Sequence, residues 1–286
     1  MSEFTQETID LLTIDKLTLQ ATIYQNPTVQ NKATLLYFHG GGFVFGEQDD
    51  LPEEYIEQLT KEGYPIVAFD YPLAPETRVP EIHHIIDQLL ERFKNSSELT
   101  VPQDKVYLMG RSAGAYIALY HATYTSLNLQ GVIAFYGYYN LNLLEFTQPS
   151  VDYLKYPIVN SKIINSLIKP HPVANLPISQ RFPIYLYFRQ TGRWMSELFP
   201  NPSDLDRYSI SEEQLAQLPP TFLAAARKDA DVPATQTRNL AKLIPNNELH
   251  LINSDQHDFD RTQLATHGRK VYAALVEWLN NNHNAQ

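Results

Sequence analysis

The chain of 286 residues has no cysteine, which excludes disulfides, zinc–thiolate sites and thiol nucleophiles together. Positive charge is also scarce. Lys and Arg number 22 against 32 Asp and Glu, a formal net charge of −10, so attraction to phosphate backbones or anionic membrane surfaces is disfavoured. Nucleic acid is therefore not an expected partner. No apolar run approaches the roughly 18 residues that a membrane span requires, and none is expected. The opening Met1-Ser2-Glu3-Phe4-Thr5-Gln6-Glu7 is polar and acidic where a secretory signal would carry a basic residue and then an apolar run. A cytoplasmic location is the expectation. HExxH, EF-hand and other clustered metal-ligand patterns are missing, as is the lysine of a P-loop, so neither a metal nor a cofactor is expected.

What is present is the material of a soluble α/β domain. The 43% hydrophobic and 19% charged fractions are enough for a full core without indicating disorder. Residues 8–24 alternate loosely and predict two antiparallel edge strands. Continuous apolar runs at 33–38, 65–71, 105–109, 131–136, 221–226 and 248–252 predict further strands, the first two buried on both faces. Helical spacing falls between them at 49–62, 80–94, 115–124 and 235–244, with a long closing helix expected at 263–280. Strands separated by helices predict an α/β fold, a mostly parallel central sheet covered by helices on both faces, with ligands beyond the carboxyl ends of the strands.

That alternation lapses over 141–217, a stretch too long for an ordinary connection and rich in its own apolar and aromatic groups. We expect a catalytic core formed by 1–140 and 218–286, with 141–217 inserted as a cap or lid over its functional end. The plainer alternative is an extra helical layer that buttresses one edge of the sheet. Arg181, Arg189 and Arg193 within it are candidates for holding a substrate carboxylate, or else belong to a solvated helix face.

Gly110-Arg111-Ser112-Ala113-Gly114 lies between a strand-like run and a helix-like run. A strand that turns sharply into a helix can hold one serine clear of the backbone, provided that the residues two positions to either side are small. Ser112 is the candidate nucleophile. A serine hydroxyl needs a base to take its proton, a carboxylate to orient the base, and donors for the oxyanion. Among nine histidines, His257 is favoured because it sits in a polar loop after the last strand, whereas His250 lies in a strand and His267, His83 and His84 lie on helices. Asp229, just past the strand ending at Ala226, is favoured as the carboxylate over Asp231, whose place before Val232-Pro233 also fits a helix N-cap. The order Ser112, Asp229, His257 is the chain order that α/β-hydrolases use. His39-Gly40-Gly41-Gly42 follows a buried strand, and its glycines let backbone N–H groups approach an oxygen. Gly41, Gly42 and Ala113 are the expected oxyanion hole.

Taken together, His39-Gly40-Gly41-Gly42-Phe43, Tyr71-Pro72-Leu73-Ala74-Pro75-Glu76, the serine elbow and His257 resemble the motifs of the hormone-sensitive-lipase-like α/β-hydrolases, a family of small bacterial carboxylesterases and acetyl esterases. The resemblance implies that Ser112, Asp229 and His257 form the triad and that Gly41, Gly42 and Ala113 supply the hole. Three departures accompany it: the usual GDSAGG carries Arg111 and Ala115, the arginine of YRLAPE is Pro72, and the DPLRD-type motif reads Asp229-Ala230-Asp231-Val232-Pro233. The expected activity is hydrolysis of small-molecule esters with short acyl chains through an acyl-enzyme intermediate, with Phe43, Phe45, Tyr138 and Tyr139 lining a compact acyl pocket. The alternatives are an amidase or peptidase of the same fold, and a non-catalytic binding protein on a hydrolase scaffold.

Overall fold

The computed structural model describes residues 4–284; Met1 to Glu3 of the polar opening segment lie outside them. The chain begins with a hairpin, β1 (Thr5–Ile14) and β2 (Leu17–Gln25), whose turn places Asp15 at φ 52°. There follow β3 (Thr34–Phe38), α1 (Glu53–Lys61), β4 (Ile66–Phe69), α2 (Val79–Asn95), β5 (Val106–Arg111), α3 (Ala113–Ala122) and β6 (Leu129–Phe135). Six helices then interrupt the alternation: α4 (Leu144–Thr147), α5 (Ser161–Leu167), α6 (Ile178–Thr191), α7 (Trp194–Leu198), α8 (Asp204–Tyr208) and α9 (Glu212–Leu215). Alternation resumes with β7 (Thr221–Ala226), α10 (Ala234–Leu243), β8 (Asn247–Ile252), α11 (Phe259–Thr262) and α12 (Arg269–Asn284).

The eight strands form one sheet in the order β1-β2-β4-β3-β5-β6-β7-β8. The first hairpin runs antiparallel and pairs antiparallel with β4, and every later pairing is parallel. Because β3, β4, β5 and β7 are buried along their whole length, successive side chains feed two different cores. Leu36, Phe38, Leu108 and Val132 join α2 and α3 residues on one face; Leu35, Tyr37, Tyr107, Met109 and Ile133 join α1 and α12 residues on the other. The parallel register aligns Phe38 with Phe69 and Gly110, Arg111 with Phe135, and Ala226 with Ile252. The loops after those residues therefore open on one edge of the sheet, which is where the chemistry-bearing side chains collect.

One element differs from expectation. The closing helix is broken: α11 is followed by a wide turn of π type at Leu264–Gly268 before α12 begins. Tyr55 packs against this turn: its hydroxyl donates to the Asp260 carbonyl at 2.6 Å and occupies the place where a side chain on Gly268 would have to go, so glycine is required there. No helix among the described residues is long and apolar enough to cross a membrane.

Candidate active site

Ser112 stands between β5 and α3 with φ 54° and ψ −119°, a conformation that a side-chain-bearing residue adopts only under constraint. The constraint is visible in its neighbours. A Cβ on Gly110 would lie 2.0 Å from the Gly114 carbonyl oxygen, and one on Gly114 would lie 2.0 Å from that of Phe38. Glycine at 110 lets β5 fold back so closely on α3, and glycine at 114 lets α3 start against the end of β3. The Ser112 amide donates to the Phe135 carbonyl at 2.9 Å, which anchors the turn to β6.

His257, in the loop between β8 and α11, meets Ser112 from the other side. Its Nε2 lies 2.9 Å from Ser112 Oγ and its Nδ1 lies 2.7 Å from Asp229 Oδ2. The carboxylate side chain is fully buried, and its second oxygen accepts the backbone N–H groups of Asp231 at 2.8 Å and Val232 at 2.9 Å. Both carboxylate oxygens of Asp229 thus have donors, and with Oδ2 accepting Nδ1–H the Nε2 is left as the acceptor facing Ser112 Oγ. Burial works against a charged imidazole, but Asp229, followed by Asp231 and Asp258, outweighs it and pushes the pKa up to about 9. The Tyr136 ring packs on the imidazole at 4.6 Å, and its hydroxyl donates to Asp260 at 2.7 Å.

The glycine loop after β3 is fixed through its carbonyls. Gly40 O accepts from His39 Nδ1 at 2.8 Å, Gly41 O accepts from the amides of Val44 and Phe45, and Gly42 O accepts the Trp194 indole N–H at 3.0 Å. In a trans peptide the N–H points opposite to the C=O, so the amides of Gly41 and Gly42 face away from those partners. Gly41 (φ 97°) and Gly42 (φ 60°) are in the left-handed region that glycine tolerates. Ala113 is the first residue of α3, where an amide has no partner within its own helix.

A cavity of about 230 Å³ opens over Ser112 and His257. Its walls include Gly40, Gly41 and Gly42, then Phe45, Tyr136 and Asp231, and, from the inserted segment, Tyr153, Ile178, Phe182 and Tyr185. Glu47, Asp50, Arg111, Asp258 and Arg261 are the further charged residues of its lining. Of the four aromatics expected to line a pocket, Phe45 does so. Phe43 and Tyr138 are instead in the core: φ 64° turns Phe43 inward against Tyr71 and Tyr116, and Tyr138 stacks on Tyr116 at 5.2 Å. Tyr139 is packed at the core's margin and is not part of the cavity wall.

The three arginines of the insert singled out as candidates for a substrate carboxylate are all in ion pairs. Arg181 is buried against Glu76 at 2.7 Å and also donates to the carbonyls of Val44 and Ala74; Arg189 is buried against Asp231; Arg193 is exposed beside Glu197. Asp231 does not cap α10, whose N-terminal flanking residue is Pro233 and has no side-chain cap.

One feature that sequence reasoning missed lies directly behind the serine. Arg111 is buried and donates from Nε to Tyr37 Oη at 2.7 Å, from Nη1 to Asp260 at 3.3 Å and from Nη2 to the Asp50 carboxylate at 2.6 Å. The signal was there in the departure from GDSAGG, because a positive charge next to a buried serine requires buried counter-charges.

Sheet order, strained serine and the two loops that converge on it define an α/β-hydrolase. The family profile described as alpha/beta hydrolase fold matches residues 35–260, and the chain belongs to that family, in its hormone-sensitive-lipase-like branch. Among curated relatives, the acetyl esterase of Salmonella choleraesuis (strain SC-B67) is 30% identical over 125 residues, 41% of this chain and 38% of that protein. The chain thus matches well under half of that relative's length. Among solved structures, a Staphylococcus aureus protein of unknown function superposes with a TM-score of 0.84 at 30% identity, covering 97% of this chain and 99% of that one. An α/β hydrolase superfamily protein from Enterococcus faecalis superposes with a TM-score of 0.85 at 27% identity, with coverage again of 97% and 99%.

Proposed function

We propose that the chain is a serine carboxylesterase that hydrolyses small esters with short acyl chains through an acyl-enzyme intermediate. The observation that carries the reading is the unbroken line from Asp229 to His257 Nδ1 and from Nε2 to Ser112 Oγ, ending at a serine that faces a cavity. The partial match to an acetyl esterase supports the ester bond and the short acyl group.

Ser112 Oγ attacks the ester carbonyl while His257 Nε2 takes its proton, and Asp229 holds the resulting imidazolium in place. Charge on the tetrahedral oxygen is met by the amides of Gly41, Gly42 and Ala113. Collapse of the intermediate breaks the bond to the alcohol oxygen, which leaves with the proton from Nε2. Water then repeats the sequence on the acyl-serine and releases the acid. Residues 141–217 act in this scheme as a cap, giving the cavity an aromatic wall against which a small acyl or alcohol group can lie. Because His257 must be neutral to accept the proton, and its pKa is raised to about 9, kcat/KM should climb with pH through the neutral range and level off above about 9.

The test is hydrolysis of p-nitrophenyl acetate, butyrate and octanoate by wild type and Ser112→Ala, beside labelling with a fluorophosphonate. Wild type should prefer the shorter esters and take the label, and Ser112→Ala should lose roughly 10⁴-fold or more in kcat and take none. Most of the activity surviving in Ser112→Ala would end the assignment, and faster turnover of octanoate would end the short-chain part of it.

A further inference from the structure

The acyl-transfer scheme leaves one carboxylate beside the base unused. Asp231 Oδ2 lies 3.8 Å from His257 Nε2, the nitrogen that also faces Ser112, and Asp231 lines the cavity. A bare carboxylate there would hold a proton on Nε2 and slow its release to a leaving group.

Asp231 is not bare. Its Oδ1 accepts from the Tyr185 hydroxyl at 2.7 Å and from Arg189 Nη1, while Arg189 Nη2 donates to the Asp231 backbone carbonyl at 3.2 Å. Arg189 Nη1 also donates to Tyr185 Oη at 2.7 Å. The guanidinium is buried among aromatic rings of the insert: Trp194 at 4.8 Å, Tyr153 at 4.9 Å and Tyr185 at 5.6 Å. Rings at that distance offer their negative faces to a cation and keep water from it. All four side chains come from the segment between β6 and β7, so the insert supplies the charge that balances a carboxylate on the catalytic loop.

We propose that Asp231 and Arg189 are positioning residues that together set how readily His257 takes and releases its proton: Asp231 steadies the imidazolium formed during attack by Ser112, and Arg189 limits that pull so that the proton can pass on to the leaving group. The inference rests on the esterase reading. The other charges that face His257 are Asp229 at Nδ1 and Asp258, adjacent in its loop. Glu47, Asp50, Arg111 and Arg261 line the same cavity, and Tyr136 against the ring is tied to Asp260. None of these groups changes in the variants below.

The test measures kcat/KM for p-nitrophenyl acetate and the rate of fluorophosphonate labelling, each across pH, in wild type, Asp231→Asn, Arg189→Met and the double variant. Asp231→Asn keeps an acceptor for Tyr185 and removes only the charge, so the acid-side midpoint should fall by about one pH unit. Arg189→Met exposes the carboxylate to His257 and should move the midpoint up by a similar amount, and the double variant should return close to the Asp231→Asn value. An unmoved or raised midpoint in Asp231→Asn overturns the inference, as do shifts of both single variants in the same direction. Asp231→Asn decides the matter even where Arg189→Met does not fold. Wild type that takes no label defeats the esterase reading and this inference with it; labelled wild type without the shift defeats the inference alone.

Discussion

Replacing Arg111 with methionine removes the counter-charge from two carboxylates directly behind the serine elbow. Arg111 and Asp260 are 2% and 0% exposed at their side chains and Asp50 is 14% exposed, so little solvent is available to replace the guanidinium. Breaking a buried pair by removing one partner costs about 3–5 kcal/mol, because the other charge is left uncompensated. Here the loss should lie near the lower end, about 3 kcal/mol, since Asp260 keeps the Tyr136 hydroxyl at 2.7 Å, and Asp50 keeps that of Tyr37 at 2.6 Å and the half-exposed Arg261 at 3.6 Å. Urea unfolding of wild type and Arg111→Met at pH 7, followed by circular dichroism, reads this difference directly. A second measurement checks its electrostatic origin. In wild type, burial would raise the Asp50 carboxyl, but Arg111, His39 and Tyr37 outweigh it and hold it below the usual range, so its contribution is present above the unfolded pKa and is lost only at lower pH. Without Arg111, burial prevails and the carboxyl is raised, so the variant regains stability as falling pH neutralises it. The gap between the two proteins should therefore narrow from pH 7 to pH 5. A loss under about 1 kcal/mol at pH 7, or a gap that does not change with pH, would refute the argument.

Two further outcomes can be checked on the same instruments. Gly114→Ala would press a methyl group against the Phe38 carbonyl, backbone that cannot swing aside, and should cost about 3 kcal/mol and abolish fluorophosphonate labelling; a folded variant that labels normally would show that the elbow tolerates a side chain there. His83 is buried between α2 and α3, with Nδ1 3.0 Å from His121 Nε2, and burial followed by that neighbour lowers its pKa well below the usual value. The unfolded chain then binds the proton first, so stability should fall from pH 6.5 to pH 5, by up to about 2 kcal/mol for His83 alone. Two groups slope the other way: burial raises the Asp70 carboxyl to about 7, so the folded chain protonates it first as pH falls, and His257, raised to about 9, adds a little near pH 6.5 where the unfolded imidazole is only partly charged. The contribution is therefore read as a difference: the advantage of wild type over His83→Gln in urea unfolding should shrink from pH 7 to pH 5, and an advantage that does not change would contradict the reading.

The parts of the molecule that sequence made legible are those governed by local pattern. Strands such as β3 and β5 are buried on both faces, and an unbroken apolar run announces that directly. Ser112, Asp229 and His257 could be singled out because each follows a strand, and parallel register brings the loops after such strands to one edge. What escaped notice depended on direction and on distance along the chain. Phe43 has the composition of a pocket residue, yet a positive φ, which no pattern announces, turns it into the core. Arg181 and Arg189 find Glu76 and Asp231 far away in sequence, so their charges read as solvated until the fold pairs them. The break before α12 lies where Tyr55, a residue of α1 far away in sequence, fills the space beside Gly268.

The ties between the inserted helices and the sheet also bear on how molecules come and go. Arg181 holds Glu76 and two core carbonyls, Arg189 holds Asp231, Trp194 holds Gly42, and the Leu73 amide donates to Val173 at 2.8 Å. Swinging the segment open as a hinged flap would strand two buried guanidinium groups at once. On the esterase reading, substrate and products would then exchange through the opening of the cavity as it stands. Turnover should start without a lag, gain nothing from an oil–water interface, and fall off sharply once a molecule is broader than that opening.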